Sequence, residues 1–259
     1  MKNNSKDLII KLNDNFFQYA IVEKDELVEI KSNRLKSFDS IDKKISLLNE
    51  IIKSNPVLIK NDWSSVKTSV ISTKYTLIPK NLFKKEYRDL YLKNVCSYNN
   101  LKGKIDHYHH IKLGFYNVFS IEKKIHNWLK KSFQKNSIFH EGSSLIENFY
   151  NNISNNKKHF FIYFDDEVLH ILIFEKKLLI YYNFFQIKKN KYLNYIFLII
   201  NEFKIDQEKI KMIISGNNSK AYFNKLKSYI SKVSILDYND FQLANNENNY
   251  IGLLFNNNL

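Results

Sequence analysis

The stretch His159 to Ile187, HFFIYFDDEVLHILIFEKKLLIYYNFFQI, decides the fold. It reads as two apolar strands joined at the acidic turn Asp165-Asp166-Glu167, running into a third strand after Glu175-Lys176-Lys177. A twin lies upstream: Leu8 to Asn33, LIIKLNDNFFQYAIVEKDELVEIKSN, aligns with it without a gap at an offset of 152 positions. Leu8 falls on Phe160, Asp14 on Asp166, Tyr19 on Ile171, Val22 on Phe174, Glu23 on Glu175, Lys24 on Lys176 and Leu27 on Leu179. A three-stranded meander therefore occurs twice.

Working outward, the first meander has polar turns at Asn13-Asp14-Asn15 and Lys24-Asp25-Glu26. Ile41, Ile45, Leu48, Ile51 and Ile52 then fall at helical spacing, with Asp39 or Ser40 as N-cap and Asn55-Pro56 as the stop. Lys67 to Ile78 reads as one strand that turns at Pro79 into an amphipathic helix carrying Leu82, Tyr87, Leu90 and Tyr91. Cys96 to His110 is polar and reads as an irregular excursion. Ile111 to Ser120 returns as a strand, Ile121 to Phe133 is a basic amphipathic helix, Ser137 to Glu141 is a short strand, and Ser143 to Asn151 is a helix capped by Ser143-Ser144.

Asn151 to Lys158 lacks hydrophobic pattern apart from Ile153, which places a domain boundary between 1–156 and 157–259. After the second meander come a helix over Asn190 to Phe203, a strand over Ile210 to Ser215 ending at Gly216, a helix over Lys220 to Ile230 and a last strand over Val233 to Leu236. Each half runs three strands, helix, strand, helix, strand. That order predicts an α/β fold of two mixed five-stranded sheets flanked by helices, with parallel pairings inside each.

Length and a 44% hydrophobic content place the chain in the globular class. The net charge of +14 suggests an anionic partner. Of the 40 basic residues only Arg34 and Arg88 are arginine, however, and Gly and Pro are scarce, a bias expected of A/T-rich coding sequence. Cys96 is the single cysteine, which excludes an internal disulfide and fits a reducing compartment. No signal peptide is read at the start, and the most apolar stretches fall short of the roughly 20 residues that cross a bilayer. A soluble cytoplasmic protein is expected, with no membrane insertion.

A duplicated meander-and-crossover unit resembles the actin-like ATPase superfamily, in which two ribonuclease H-like lobes face each other across a nucleotide cleft. The segment STKYTLIPKNLF (72–83), the helical EYRDLYLKNV after it and the later NVFSIEKKIHNWLKKSFQKNSIFHEGSSLIENF resemble the pilus-assembly and FtsA-like branch. TLIPKNLF, FHEGSSLIE and LLIYYNFFQIKKNKYLNYIFLIINEF together are similar to the DUF3822 family of Bacteroidetes-type bacteria, a likeness that covers most of the chain and weakens after Asp237.

The superfamily resemblance implies a phosphate loop of the form Asp-x-Gly at the tip of the first hairpin of each lobe. The aspartate works through a metal, and the glycine lets backbone amides approach phosphate. Here the tips are Leu12-Asn13-Asp14-Asn15-Phe16 and Phe164-Asp165-Asp166-Glu167-Val168, and neither contains glycine. A glycine pair usually serves the adenosine site, where Ser215-Gly216-Asn217 offers one. Asp14, Asp165, Asp166 and Gly216 are thus the candidate remnants of a nucleotide cleft. The reading adopted is a module without cofactor or catalysis that binds or scaffolds another protein. The alternative is a degenerate ATP-binding regulator that holds Mg-ATP through the same residues.

A further alternative is a nucleic-acid accessory protein using Lys123, Lys124, Trp128, Lys130 and Lys131, with Lys135 and Phe133 beside them. The preferred reading of that helix is a solvated lysine face with its aromatic side buried. His107, His109 and His110 offer imidazoles to a metal if they lie on a strand, though a solvent-exposed loop is the reading preferred. His140 beside Glu141 suggests acid-base chemistry, yet with no nucleophile a structural histidine is favoured. Tyr181, Tyr182, Phe184 and Phe185 read as packing residues. No Walker loop or Rossmann fingerprint occurs.

Overall fold

The computed structural model of the chain describes residues 6–24, 26–35, 38–60, 62–96, 103–151, 153, 157–165, 168–187, 191–216 and 219–236. The chain forms two compact units and passes from one to the other between Ser144 and Leu145. That point lies inside a helix, upstream of the polar stretch that the sequence pattern marked out.

In the first unit β1 (Lys6–Leu12), β2 (Phe16–Glu23) and β3 (Glu26–Arg34) form the antiparallel meander. Helices α1 (Ile41–Ser54) and α2 (Pro56–Ile59) lead to β4 (Ser65–Val70), which lies parallel to β1. Then come β5 (Tyr75–Pro79), two short 3-10 turns, α3 (Arg88–Lys93), β6 (Lys104–His110), β7 (Phe115–Ile121) and α4 (Lys123–Ser132). β8 (Asn136–His140) pairs parallel with β4, and α5 (Glu141–Asn151) follows. The main sheet has the order β3-β2-β1-β4-β8, and β5-β7-β6 make a smaller antiparallel sheet.

Strand alternation sets the core. Leu8, Ile10 and Leu12 of β1 and Phe17, Tyr19 and Ile21 of β2 turn to one face. There they meet Leu48 and Ile51 of α1 and Ile125, Trp128 and Leu129 of α4. Ser40 caps α1, its hydroxyl accepting from the Lys43 amide, and Asn55 closes the far end by donating to the Ile51 carbonyl at 2.6 Å. The Tyr19 hydroxyl donates to Asn55 Oδ1 at 3.1 Å, so that helix end is tied to the sheet.

Several expectations for this unit are corrected, among them the amphipathic helix after Pro79, which is two 3-10 turns and the six-residue α3 with Leu82 and Leu90 exposed. Lys67 to Ile78 is two strands in different sheets, because the chain turns at Ser72, whose hydroxyl donates to the Ser120 carbonyl at 2.6 Å. Residues 104–110, expected within an irregular excursion, form β6, paired along its whole length with β7. α5 begins at Glu141, so Ser143 and Ser144 lie inside its first turn, and Ser143 Oγ accepts from Asn117 Nδ2 at 2.9 Å instead of capping.

The second unit has β9 (Lys158–Asp165), β10 (Val168–Glu175), β11 (Leu178–Gln186), α6 (Tyr192–Glu202), β12 (Lys211–Gly216), α7 (Ser219–Lys227) and β13 (Val233–Ile235). Its sheet order, β11-β10-β9-β12-β13, repeats that of the first unit, with β12 parallel to β9 and β13 parallel to β12. Phe160, Ile162 and Phe164 pack with Ile196, Ile200 and Leu226 on one face, and on the other Phe161 stacks on Phe149 of α5 at 4.3 Å.

The 152-residue offset survives in detail. Shifted by it, β2 and β3 coincide with β10 and β11 at both ends. The β-bulge between Ile21 and Val22 recurs between Ile173 and Phe174. Lys24 and Lys176 share a left-handed turn conformation, φ 52° and 50°. The ion pair Lys6–Glu23, 3.3 Å, recurs as Lys158–Glu175, 3.2 Å.

Candidate functional site

The tip between β1 and β2 is where a phosphate loop would sit. Here its backbone is closed on itself: Asn13 Oδ1 accepts from the amides of Asn15 at 2.9 Å and Phe16 at 2.7 Å. An Asx-type turn of this kind uses the donors that an anion would need. Lys44, a nearly buried residue of α1, donates to the Asn13 carbonyl at 3.0 Å and to Asp14 Oδ1 at 2.8 Å. The Asp14 carboxylate is 95% exposed, and this lysine already neutralises it. The tip thus carries its own fixed cation and has turned its amides inward.

Directly below the tip is a feature the sequence pattern did not reveal. Lys11 of β1 and Glu141, the first residue of α5, form an ion pair of 2.6 Å with both side chains 4% exposed. A carboxylate at the start of a helix gains from the aligned peptide dipoles, and the pair offsets the cost of removing two charges from water. Either partner alone would leave a buried, uncompensated charge. Within KLNDN the only hint was a lysine next to Leu12 in an otherwise apolar strand.

His140, the residue before Glu141, is fully buried. Its Nδ1 accepts from the Gly142 amide at 3.0 Å, so Nε2 carries the proton and donates to the Ser72 carbonyl at 2.9 Å. Burial, opposed by the Ser72 carbonyl and reinforced by His110, lowers its pKa to about 4. Both ring nitrogens are thus engaged by backbone groups at the end of β8.

In the second unit Asp165 ends β9 and is buried, with 5% exposure. Asp166, Glu167 and Asn217 lie outside the described residues. Gly216 has φ +90°, and a Cβ there would collide with the carbonyl oxygen of Phe164, its partner in the β9–β12 pairing. Close approach of two strands therefore accounts for this glycine without any ligand.

The remaining candidates separate. Trp128 is 7% exposed, donates to Asn49 Oδ1 at 2.8 Å and meets Phe17 and Phe133 edge-on. It belongs to the core and has no face for a base, in line with the preferred reading of a helix whose aromatic side is buried. Lys124 is paired with Asp42 at 2.7 Å, and Lys130 donates to the Asn136 carbonyl. Lys123 and Lys131 lie exposed on the same helix.

His107 and His109 sit on β6 instead of the exposed loop expected. Burial, then the Arg88 guanidinium 3.4 Å away, lowers the pKa of His107, and His109 stacks on Tyr116 at 4.1 Å. A cation beside His107 disfavours a metal there. Among the described residues no group of three His, Cys, Asp or Glu could hold a metal ion.

Residues 1–233 match DUF3822, described as "Protein of unknown function". The chain belongs to the DUF3822 family. Its duplicated sheets place this DUF3822 member among the actin-like ATPase folds. A Bacteroides thetaiotaomicron protein of actin-like ATPase fold and unknown function superposes with a TM-score of 0.80 at 18% identity, covering 93% of this chain and 96% of that one. The PilM-PilN type IV pilus biogenesis complex matches with a TM-score of 0.64 at 7% identity, over 93% and 90%. At these identities the likeness is one of fold. No protein of curated function matches this DUF3822 chain.

Proposed function

We propose that this DUF3822 protein is a non-hydrolysing, protein-binding module of the cytoplasm built on an actin-like ATPase fold. The observation that carries the reading is the closed first tip: Asn13 occupies the amides and Lys44 the carboxylate that a bound Mg-nucleotide would require. A scaffold role leaves the tips free of the glycines that phosphate binding needs.

The surface that fits a partner is the segment from Leu82 to Val95. Leu82 is 63% and Leu90 48% exposed, and Tyr87 and Val95 are exposed beside them in the chain. Exposed apolar side chains mark an interaction site where they join into one patch, as these four are proposed to do. The backbone under them is fixed: the Tyr91 hydroxyl donates to the Leu82 carbonyl at 2.7 Å and accepts from the Lys84 amide at 2.8 Å. Phe83 stacks on Tyr116 of β7 at 3.8 Å. A rigid apolar platform loses little entropy on binding. PilM, similar in fold, is known in complex with PilN, which supports a partner-binding role for this fold.

Site-specific photo-crosslinking in the native host tests the reading. A crosslinker at Leu90 is expected to trap a discrete protein partner, whereas one at Lys123 is not. Equal, diffuse labelling from both positions would refute a dedicated platform.

A further inference from the structure

The second unit contains a cavity of about 780 Å³ that is unrelated to the meander tip. β9 starts at the cavity with Lys158 and ends at the tip with Asp165, so the two lie at opposite ends of the strand. The volume falls in the range of small-molecule pockets, roughly 300–1,000 Å³. Buried Ile205 and Ile210 line it together with an unusual number of cations.

Six of its eleven lining residues are lysines, whereas the chain-wide share, 38 lysines in 259 residues, would place fewer than two there. Mutation pressure toward lysine acts on the whole sequence and does not gather lysines in one concavity. The fold does so: Lys158 and Lys211 begin β9 and β12 and Lys232 immediately precedes β13, in adjacent strands about 4.8 Å apart. Lys204 and Lys209 enter from the connection between α6 and β12.

Acidic compensation is partial. Asp206 is engaged by Lys209 at 3.0 Å, and Glu175 by Lys158 at 3.2 Å. Among the described residues, Lys157, Lys204, Lys211 and Lys232 have no carboxylate at ion-pair distance. Lys157, Lys204, Lys209, Lys211 and Lys232 are exposed, so solvent screens part of their mutual repulsion, and a bound anion removes the remainder.

We propose that this cavity binds a small phosphorylated molecule carrying at least two negative charges, with the isoleucine floor accommodating its less polar part. Lysine ammoniums act as point charges that can surround a tetrahedral phosphate from several directions. The site is independent of the tip, and its ligand needs no metal.

Calorimetric titration of the full chain with sodium tripolyphosphate, in EDTA and 150 mM salt, tests the proposal. One saturable site is expected, weakened at least about tenfold in Lys211→Gln/Lys232→Gln and unchanged in Lys123→Gln/Lys131→Gln. Acetylation footprinting of the unsubstituted chain gives a readout that does not depend on a variant folding: tripolyphosphate should protect Lys204, Lys211 and Lys232 selectively. No saturable binding, binding that survives the double substitution, or protection spread evenly over surface lysines would overturn the proposal. Because EDTA removes the metal, a failure here is distinct from a failure of the reading of the tip.

Discussion

Lysine does work in this chain that glycine does in most. Among the described residues the non-glycine positions with positive φ are Lys24, Lys135, Lys176, Lys177 and Lys204, all lysine, in a protein with five glycines. A side chain in the left-handed region costs about 1–2 kcal/mol. The scarcity of glycine at the meander tips therefore matches a chain-wide bias toward lysine at such positions. Gly216 is kept where a Cβ has no room, so glycine persists at a position with a steric demand for it.

His140 shows a second residue-scale consequence. The unfolded chain protonates this imidazole near 6.5, the folded chain only near 4. Between those values the unfolded state binds more protons, so the contribution is whole above about pH 6.5 and is lost as pH falls toward 4. The gap corresponds to roughly 3 kcal/mol. Urea unfolding at pH 6.5 and pH 5 should show His140→Gln losing about 2 kcal/mol less than the unsubstituted protein across that interval. Parallel pH profiles for the two would contradict the account.

At the scale of elements, the meanders were legible because two copies checked each other: a register slip by one residue would have turned each buried face outward. The shared bulge and the shared lysine turn followed from the same offset. Other elements were harder to read for local reasons. Lys67 to Ile78 carries strand-forming residues throughout, and only the tertiary contacts of Ser72 break it into β4 and β5.

β6 carries three histidines and one aspartate in seven residues and reads as a loop, yet pairing with β7 and ring stacking on Tyr116 make it a strand. Leu82 and Leu90 recur at helical spacing, which signals burial; the structure gives short 3-10 turns and the six-residue α3 with those side chains outward. The turn between β10 and β11, with positive φ at both Lys176 and Lys177, matches what a type I′ turn demands. Lys176→Asn/Lys177→Gly should stabilise the protein by about 1 kcal/mol in urea unfolding. A loss of stability would show that these lysines make contacts worth more than the strain they carry.

Over the whole molecule, two units of one topology identify an actin-like ATPase fold, and that much was readable from the duplication. The candidate site was readable only in its residue types. That Asp14 meets Lys44, thirty positions away, that Asn13 closes the tip amides, and that Lys11 meets Glu141 depend on distant segments coming together. The lysine cavity is of the same kind, since adjacent strand starts are far apart in the chain.

Calorimetric titration with ATP in the presence and absence of Mg²⁺ tests the central proposal most directly, namely that a closed tip leaves the nucleotide no metal-dependent hold. The account predicts no Mg²⁺-dependent component of binding and no released phosphate, with Asp14→Ala indistinguishable from the unsubstituted chain. Sub-micromolar, Mg²⁺-dependent binding that Asp14→Ala abolishes, accompanied by turnover, would contradict it.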